Sequence, residues 1–256
     1  MHRHSFIKTV FISFCFIAAA AAAMAQVPTP GTVSYLPSYY AFRDEMNNDF
    51  EQDIAHYKKL YEAAVADINA QKSGLEKTLS LLRCKYVLGN CYLAVKDNDS
   101  AGKTFDEAIA ELKKLIIEEN AKKVAETWFL LGQCISQNCI VKPTTYALGD
   151  GTKIQDYAKK ALALDPAYGA AEYLKNNQYA FLPAPLNNYK KALESMNALL
   201  ESEVFRLDYA DKYNIYCTLA YVYMQKKDRK QAEYWTEKAL KVFPRNTYMM
   251  ELIPKN

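Results

Sequence analysis

Gly89, Gly132, Asn176 and Ala220 stand 43, 44 and 44 residues apart. Each lies in a stretch whose apolar residues return at i, i+3, i+4 and i+7, the period of a helix with one buried face. No segment alternates apolar and polar residues as a half-buried strand would, and glycines number only eight in the chain. A small side chain repeated at a near-constant interval lets one helix approach its neighbour closely at that point. A single hairpin of two such helices cannot bury its apolar face alone, so hairpins of this kind must stack. The pattern predicts an all-α array of helical hairpins.

Two units are clear. KYVLGNCYLAVKDNDSAGKTFDEAIAEL carries Leu88, Gly89 and Tyr92 on a first helix, then Ala101, Phe105 and Ala108 on a second. YCTLAYVYMQKKDRKQAEYWTEKALKVFP carries Leu219, Ala220 and Tyr223, then Ala232, Ala239 and Pro244. Both resemble the tetratricopeptide repeat pattern of large, Leu-Gly and aromatic residues followed by two alanines and a proline. Two further units fit once insertions are allowed. Trp128, Leu131, Gly132 and Ile135 open one that closes at Ala161, Asp165 and Pro166. Tyr179 and Ala192 belong to the other, which has Lys175 and Asn176 where Leu-Gly is usual. The resemblance implies a TPR-like helical-hairpin solenoid with repeats near 82–115, 125–168, 169–206 and 213–246. A helical stretch at 47–70 reads as a degenerate extra unit or cap, making 47–256 one helical domain after an extended lead-in at 26–46. The segment ALDPAYGAAEYLKNNQYAFLPAPL, through Asp165, Pro166, Tyr168, Gly169, Ala171, Pro183 and Pro185, is also similar to exported bacterial proteins of this family. Some of those are associated with TRAP-type solute transporters.

In family members that bind peptides or ligands, positions 2, 5, 9, 12 and 13 of the first helices line the concave face. Carried over, position 5 reads Tyr86, Phe129, Tyr173 and Cys217, and position 9 reads Asn90, Gln133, Asn177 and Tyr221. Position 2 reads Arg83, Glu126, Ala170 and Asn214, so the lysine- and asparagine-based clamp of chaperone-tail binders is not reproduced. The expected ligand- or partner-binding groove is therefore Tyr86, Asn90, Phe129, Gln133, Tyr173, Asn177 and Tyr221, suited to a neutral or partly apolar ligand or to an extended or helical peptide. The competing expectation is that a terminal helix fills the groove and makes these residues core.

The chain opens with Arg3 and Lys8, an apolar run from Thr9 to Ala25 and Ala-Met-Ala at 23–25, the features of a cleavable export signal over residues 1–25. Its loss takes two of 32 basic residues and none of 29 acids, leaving a net charge of +1. Near-neutrality argues against nucleic acid as the main partner. No transmembrane segment is expected after cleavage. Cys84, Cys91, Cys134, Cys139 and Cys217 remain, too few for a disulfide scaffold. Cys134 could bridge Cys139 if the helix ended near Gln137.

Catalytic chemistry has little to draw on. His56 is the sole histidine after residue 25, and no nucleophile–base–acid set assembles. The DNDSAG stretch at 97–102 lacks the acidic twelfth position of a calcium loop and reads as an inter-helix turn capped by Asp99 or Ser100. LGDGTK at 148–153 lacks phosphate-loop spacing. The sequence thus points to a non-enzymatic, cofactor-free module, exported to the periplasm or envelope, that binds a protein or peptide partner. The alternative is a small hydrophobic-ligand carrier, or an accessory to the periplasmic solute-binding protein of a TRAP-type transporter.

Overall fold

A computed structural model describes residues 33–48 and 53–252. The expected export signal at 1–25 lies outside them. Within them the chain is a succession of antiparallel helical hairpins. Helices α1 (Pro37–Asn48) and α2 (Ile54–Gln71) come first. Next are α3 (Gly74–Ala94) with α4 (Asn98–Leu115), and α5 (Ala125–Val141) with α7 (Ile154–Leu164), the latter pair separated by the short α6 (Thr144–Leu148). The third unit joins α8 (Gly169–Asn176) and its short continuation α9 (Gln178–Phe181) to α10 (Tyr189–Glu201). The last pairs α11 (Tyr209–Gln225) with α12 (Arg229–Val242), followed by α13 (Thr247–Leu252). Second helices pack on their own first helix and on the first helix of the next unit, so α4 touches α3 and α5, and α7 touches α5 and α8. This is the all-α helical-hairpin solenoid.

The turns show why the units end where they do. Helix α3 closes with Lys96 at φ 63° and α11 with Lys227 at φ 61°. In both, the next aspartate's N–H reaches back to a tyrosine carbonyl, Asp97 to Tyr92 at 2.9 Å and Asp228 to Tyr223 at 3.0 Å. That pairing satisfies carbonyls a helix end leaves open. The same aspartates then cap the second helices, accepting from Ser100 N and Gln231 N at 3.1 and 3.2 Å. Asp97, rather than Asp99 or Ser100, is therefore the cap of α4. One aspartate both closes the first helix and starts the second.

Close packing explains the repeated small residues. A Cβ on Gly89 would lie 2.4 Å from Phe105 Cε1, so the glycine admits that ring to the helix surface. Gly132 meets Leu174 in the same way, at 3.1 Å. Phe105, Ala101, Ala108, Leu131, Ala192, Leu219, Ala220 and Ala239 are all fully buried. Tyr92, Leu88, Trp128, Tyr179 and Tyr223 are half-buried, while Pro166 and Pro244 end their units at the surface. Gly169 is small for a different reason. The backbone of 167–169 pairs with Arg206, and a Cβ on Gly169 would sit 2.4 Å from the Arg206 carbonyl oxygen.

Two expectations need correction. The lead-in at 26–46 is not extended throughout, because α1 begins at Pro37. Proline suits a first helical turn, where its missing N–H has no partner to lose. Tyr39, Phe42 and Met46 of α1 join Tyr57 and Ile68 of α2 and Cys84, Val87 and Cys91 of α3 in one buried cluster. The helical domain therefore starts ten residues before the expected position 47, with α1 and α2 forming an extra hairpin. The second correction concerns sulfur. Helix α5 runs through Val141, and Cys134 and Cys139 are both free thiols. Five residues along one unbroken helix separate them by ~7.5 Å of rise, beyond disulfide reach. The helix persists until Lys142, which precedes Pro143 and is extended as that position requires.

Candidate functional site

The middle of α3 meets the first turn of α5, and opposite charges pair there. Arg83 of α3 donates from Nε to Glu126 Oε1 of α5 at 3.0 Å, and its Nη2 closes a second, shorter contact to the same oxygen. Their side chains are 7% and 4% exposed. Tyr35, just before α1, donates to Glu126 Oε1 at 2.5 Å, and Tyr168 donates to Glu126 Oε2. Arg83 Nη1 reaches Gln133 Oε1. The guanidinium also lies 5.0 Å from the Phe129 ring, 5.7 Å from Tyr86 and 5.8 Å from Tyr35. Burial by itself would lower the Arg83 pKa, but Glu126 and then Tyr35 outweigh it and hold the pKa well above its usual value. Burial, followed by the Glu126 charge, pushes the Tyr35 and Tyr168 hydroxyls well up, so both remain donors.

A second polar cluster ties the first hairpin to the last. Arg43 of α1 bonds Asp208 Oδ2 at 2.5 Å and Asp44 Oδ1 at 2.9 Å, and lies over the Tyr40 and Tyr209 rings at 4.9 and 4.8 Å. Tyr209 donates to Asp44. Past α12, Arg245 pairs with Glu45 at 3.1 Å, its N–H bonds Asn48 Oδ1 at 2.9 Å, and Asn246 donates to the Asn47 carbonyl at 2.6 Å. These contacts join residues 165 to 200 positions apart. The array closes on itself.

This closure decides where the expected groove residues stand. Phe129 is 3% exposed and its ring meets Tyr168 at 4.8 Å. Tyr86 lies between Arg83 and Phe105. The Tyr173 hydroxyl shares a hydrogen with Thr218 Oγ1 at 2.9 Å. Phe129 is thus covered by the protein's own Arg83 and Tyr168, and Arg83 also lies against Tyr86, while Tyr86 and Tyr173 remain half-buried. The position-9 row remains half-buried. In it Asn90 donates to the Tyr86 carbonyl at 2.9 Å, Gln133 accepts from Arg83, Asn177 follows α8, and Tyr221 packs on Phe181 at 5.1 Å.

Tyr35, Arg43, Tyr168 and Asp208 carry the geometry without having been singled out as a site. The available signal was at position 2, where consecutive units carry Arg83 and Glu126, opposite charges in one register. Burial pushes the Cys134 thiol up to about 12, as it does those of Cys84 and Cys217, so these sulfurs are packing groups. No cluster of His, Cys, Asp and Glu suited to a metal occurs among the described residues. Among them, no helix is long and apolar enough to cross a membrane. Outside the closed face, Tyr61, Leu82, Lys85 and Glu111 line an open cleft of about 260 Å³.

No curated protein matches the chain. The profile of the tetratricopeptide repeat matches residues 213–246, which is the α11–α12 hairpin with its flanks. Residues 213–246 are therefore a tetratricopeptide repeat, the last unit of the hairpin array.

Proposed function

We propose that this chain is an exported binding and assembly module for a protein or peptide partner in the cell envelope. A tetratricopeptide repeat suggests protein–protein interaction and is generally non-catalytic, and the leader at 1–25 supports export. One observation carries the choice of surface. Along the inner face Phe129 is buried, while Tyr86 and Tyr173 of its row and Asn90, Gln133, Asn177 and Tyr221 of the next stay half-buried. Amides repeated on successive helices offer donors and acceptors in series, which suits the backbone of an extended peptide. A small hydrophobic ligand would need the space before Tyr86 and Phe129, where Arg83 and Tyr168 pack. The peptide or protein reading is favoured for that reason, and a periplasmic solute-binding protein is one partner of this kind.

Photo-crosslinking side chains placed in cells at Asn90, Asn177 and Tyr221 test it, with the exposed Lys59 of α2 as control. Discrete adducts from the three inner positions are expected. Adducts from Lys59 alone would overturn the assignment.

A further inference from the structure

We propose that the loop at 181–186 is an interfacial anchor that docks the array onto an anionic lipid surface. All six residues of FLPAPL are exposed, with Phe181 at 51% and Leu186 at 62%. No charged side chain occurs from Gln178 to Tyr189. The loop is ordered: Leu186 N–H bonds the Pro183 carbonyl and Asn188 N–H bonds the Tyr179 carbonyl, both at 2.8 Å. The Phe181 ring rests on Tyr221, so its exposure is held rather than incidental. Tyr179, Tyr189 and Tyr221 lie behind this tip, half-buried and polar at their ends. An apolar tip behind which tyrosines gather is the arrangement that sits at a membrane interface.

The surrounding charge selects the occupant. Lys190 and Lys191 follow the loop directly, and Lys191 lies 4.2 Å over the Tyr179 ring. Lys226 and Lys227 lie in the exposed turn after α11, beginning five residues beyond Tyr221, ~7.5 Å along the helix, and Arg229 and Lys230 open α12. Facing these are Glu194, Glu233, which pairs with Arg229 at 2.9 Å, and Asp228, which caps α12. Helices α10 and α12 have no acid in the first turn and carry these basic residues there instead. Cations at a helix N-terminus oppose its dipole, so local helix stability does not account for them. Apolar insertion combined with lysine attraction to anionic headgroups does.

The apolar segment at 9–25 could itself hold the full chain on a vesicle, so the test reads depth at the loop. In the full chain, with Cys15, Cys139 and Cys217 changed to Ser, bimane is placed on Leu186→Cys or on Val204→Cys, which is exposed and lies past the other end of α10. Vesicles of phosphatidylglycerol with phosphatidylethanolamine carry a shallow doxyl quencher. Quenching at 186 and not at 204 is expected, with the affinity of the loop for these vesicles falling roughly fivefold for each Lys→Gln change at 226, 227 and 230. A label at 186 that stays bright, or equal quenching at both positions, overturns the proposal. The first result leaves the loop as a protein contact.

Discussion

Removing the Glu126 carboxylate probes the closed face at its centre. Glu126→Ala leaves the Arg83 guanidinium, 7% exposed, without its counter-charge. It also strips the acceptor from the Tyr35 and Tyr168 hydroxyls. Breaking a buried ion pair from one side costs about 3–5 kcal/mol, and each orphaned hydroxyl adds about 1–3 kcal/mol. Gln133 is half-buried beside the pair, so water can enter and recover part of that sum. A net loss of about 4 kcal/mol is expected, a large share of the ~5–15 kcal/mol typical of a folded domain. Urea unfolding followed by circular dichroism, with an unchanged m-value, measures it. Glu126→Gln keeps one acceptor and should lose about half as much. The double change Arg83→Met with Glu126→Leu removes both charges and should recover the ion-pair share of the loss, leaving only that of the two hydroxyls. A loss under about 1 kcal/mol for Glu126→Ala would refute the reasoning, since it would mean a solvated pair and an unseated Tyr35.

Two glycines in one hairpin should respond with opposite signs. A methyl at Gly89 meets three Phe105 ring atoms at 2.4–2.9 Å, whereas at Gly102 the nearest atom is Val141 Cγ2 at 3.4 Å. Gly89→Ala should therefore lose about 1–2 kcal/mol after its helix-propensity gain, and Gly102→Ala should gain about 0.5–1 kcal/mol, read as shifts in Tm. Stability should also depend on pH through Asp211, whose pKa is pushed up to about 8 by burial and by Asp208, against the opposing pull of Arg43 and Arg83. The unfolded carboxyl releases its proton near ~4, so the folded state binds more protons between about 4 and 8, and stability falls as pH rises through that window. In Asp211→Asn, urea midpoints across the window should lose this slope; an unaltered slope would assign it elsewhere.

The hairpins were legible because their signal is local. Gly89, Ala101, Phe105 and Ala108 lie within one unit, and the contact that needs them is between adjacent helices. Helix α1 was hidden for a different reason: prolines precede it, and its buried face uses Tyr39 and Arg43 beside Phe42 and Met46, so the apolar period is faint. The polar centre was less visible still. Arg83 and Glu126 are 43 residues apart, and Arg43 and Asp208 165 apart, distances at which charge pairing leaves no periodic trace. Repeat register picks out Tyr86, Phe129 and Tyr173 as one row, but what covers Phe129 in it depends on long-range closure. Cys139 stays helical because α5 continues four residues past Gln137, as far as the extended residue that Pro143 imposes.

Closure between the first and last hairpins is the claim on which the rest depends, and one distance tests it. Spin labels at Ala41→Cys on α1 and Lys241→Cys on α12, both exposed positions, report it by pulsed electron resonance with Cys15, Cys139 and Cys217 changed to Ser. The contacts of Arg43 with Asp208 and of Arg245 with Glu45 predict a single narrow distribution at short distance, which Arg43→Ala broadens. A long, broad distribution in the parent chain, unaffected by Arg43→Ala, would contradict a closed array.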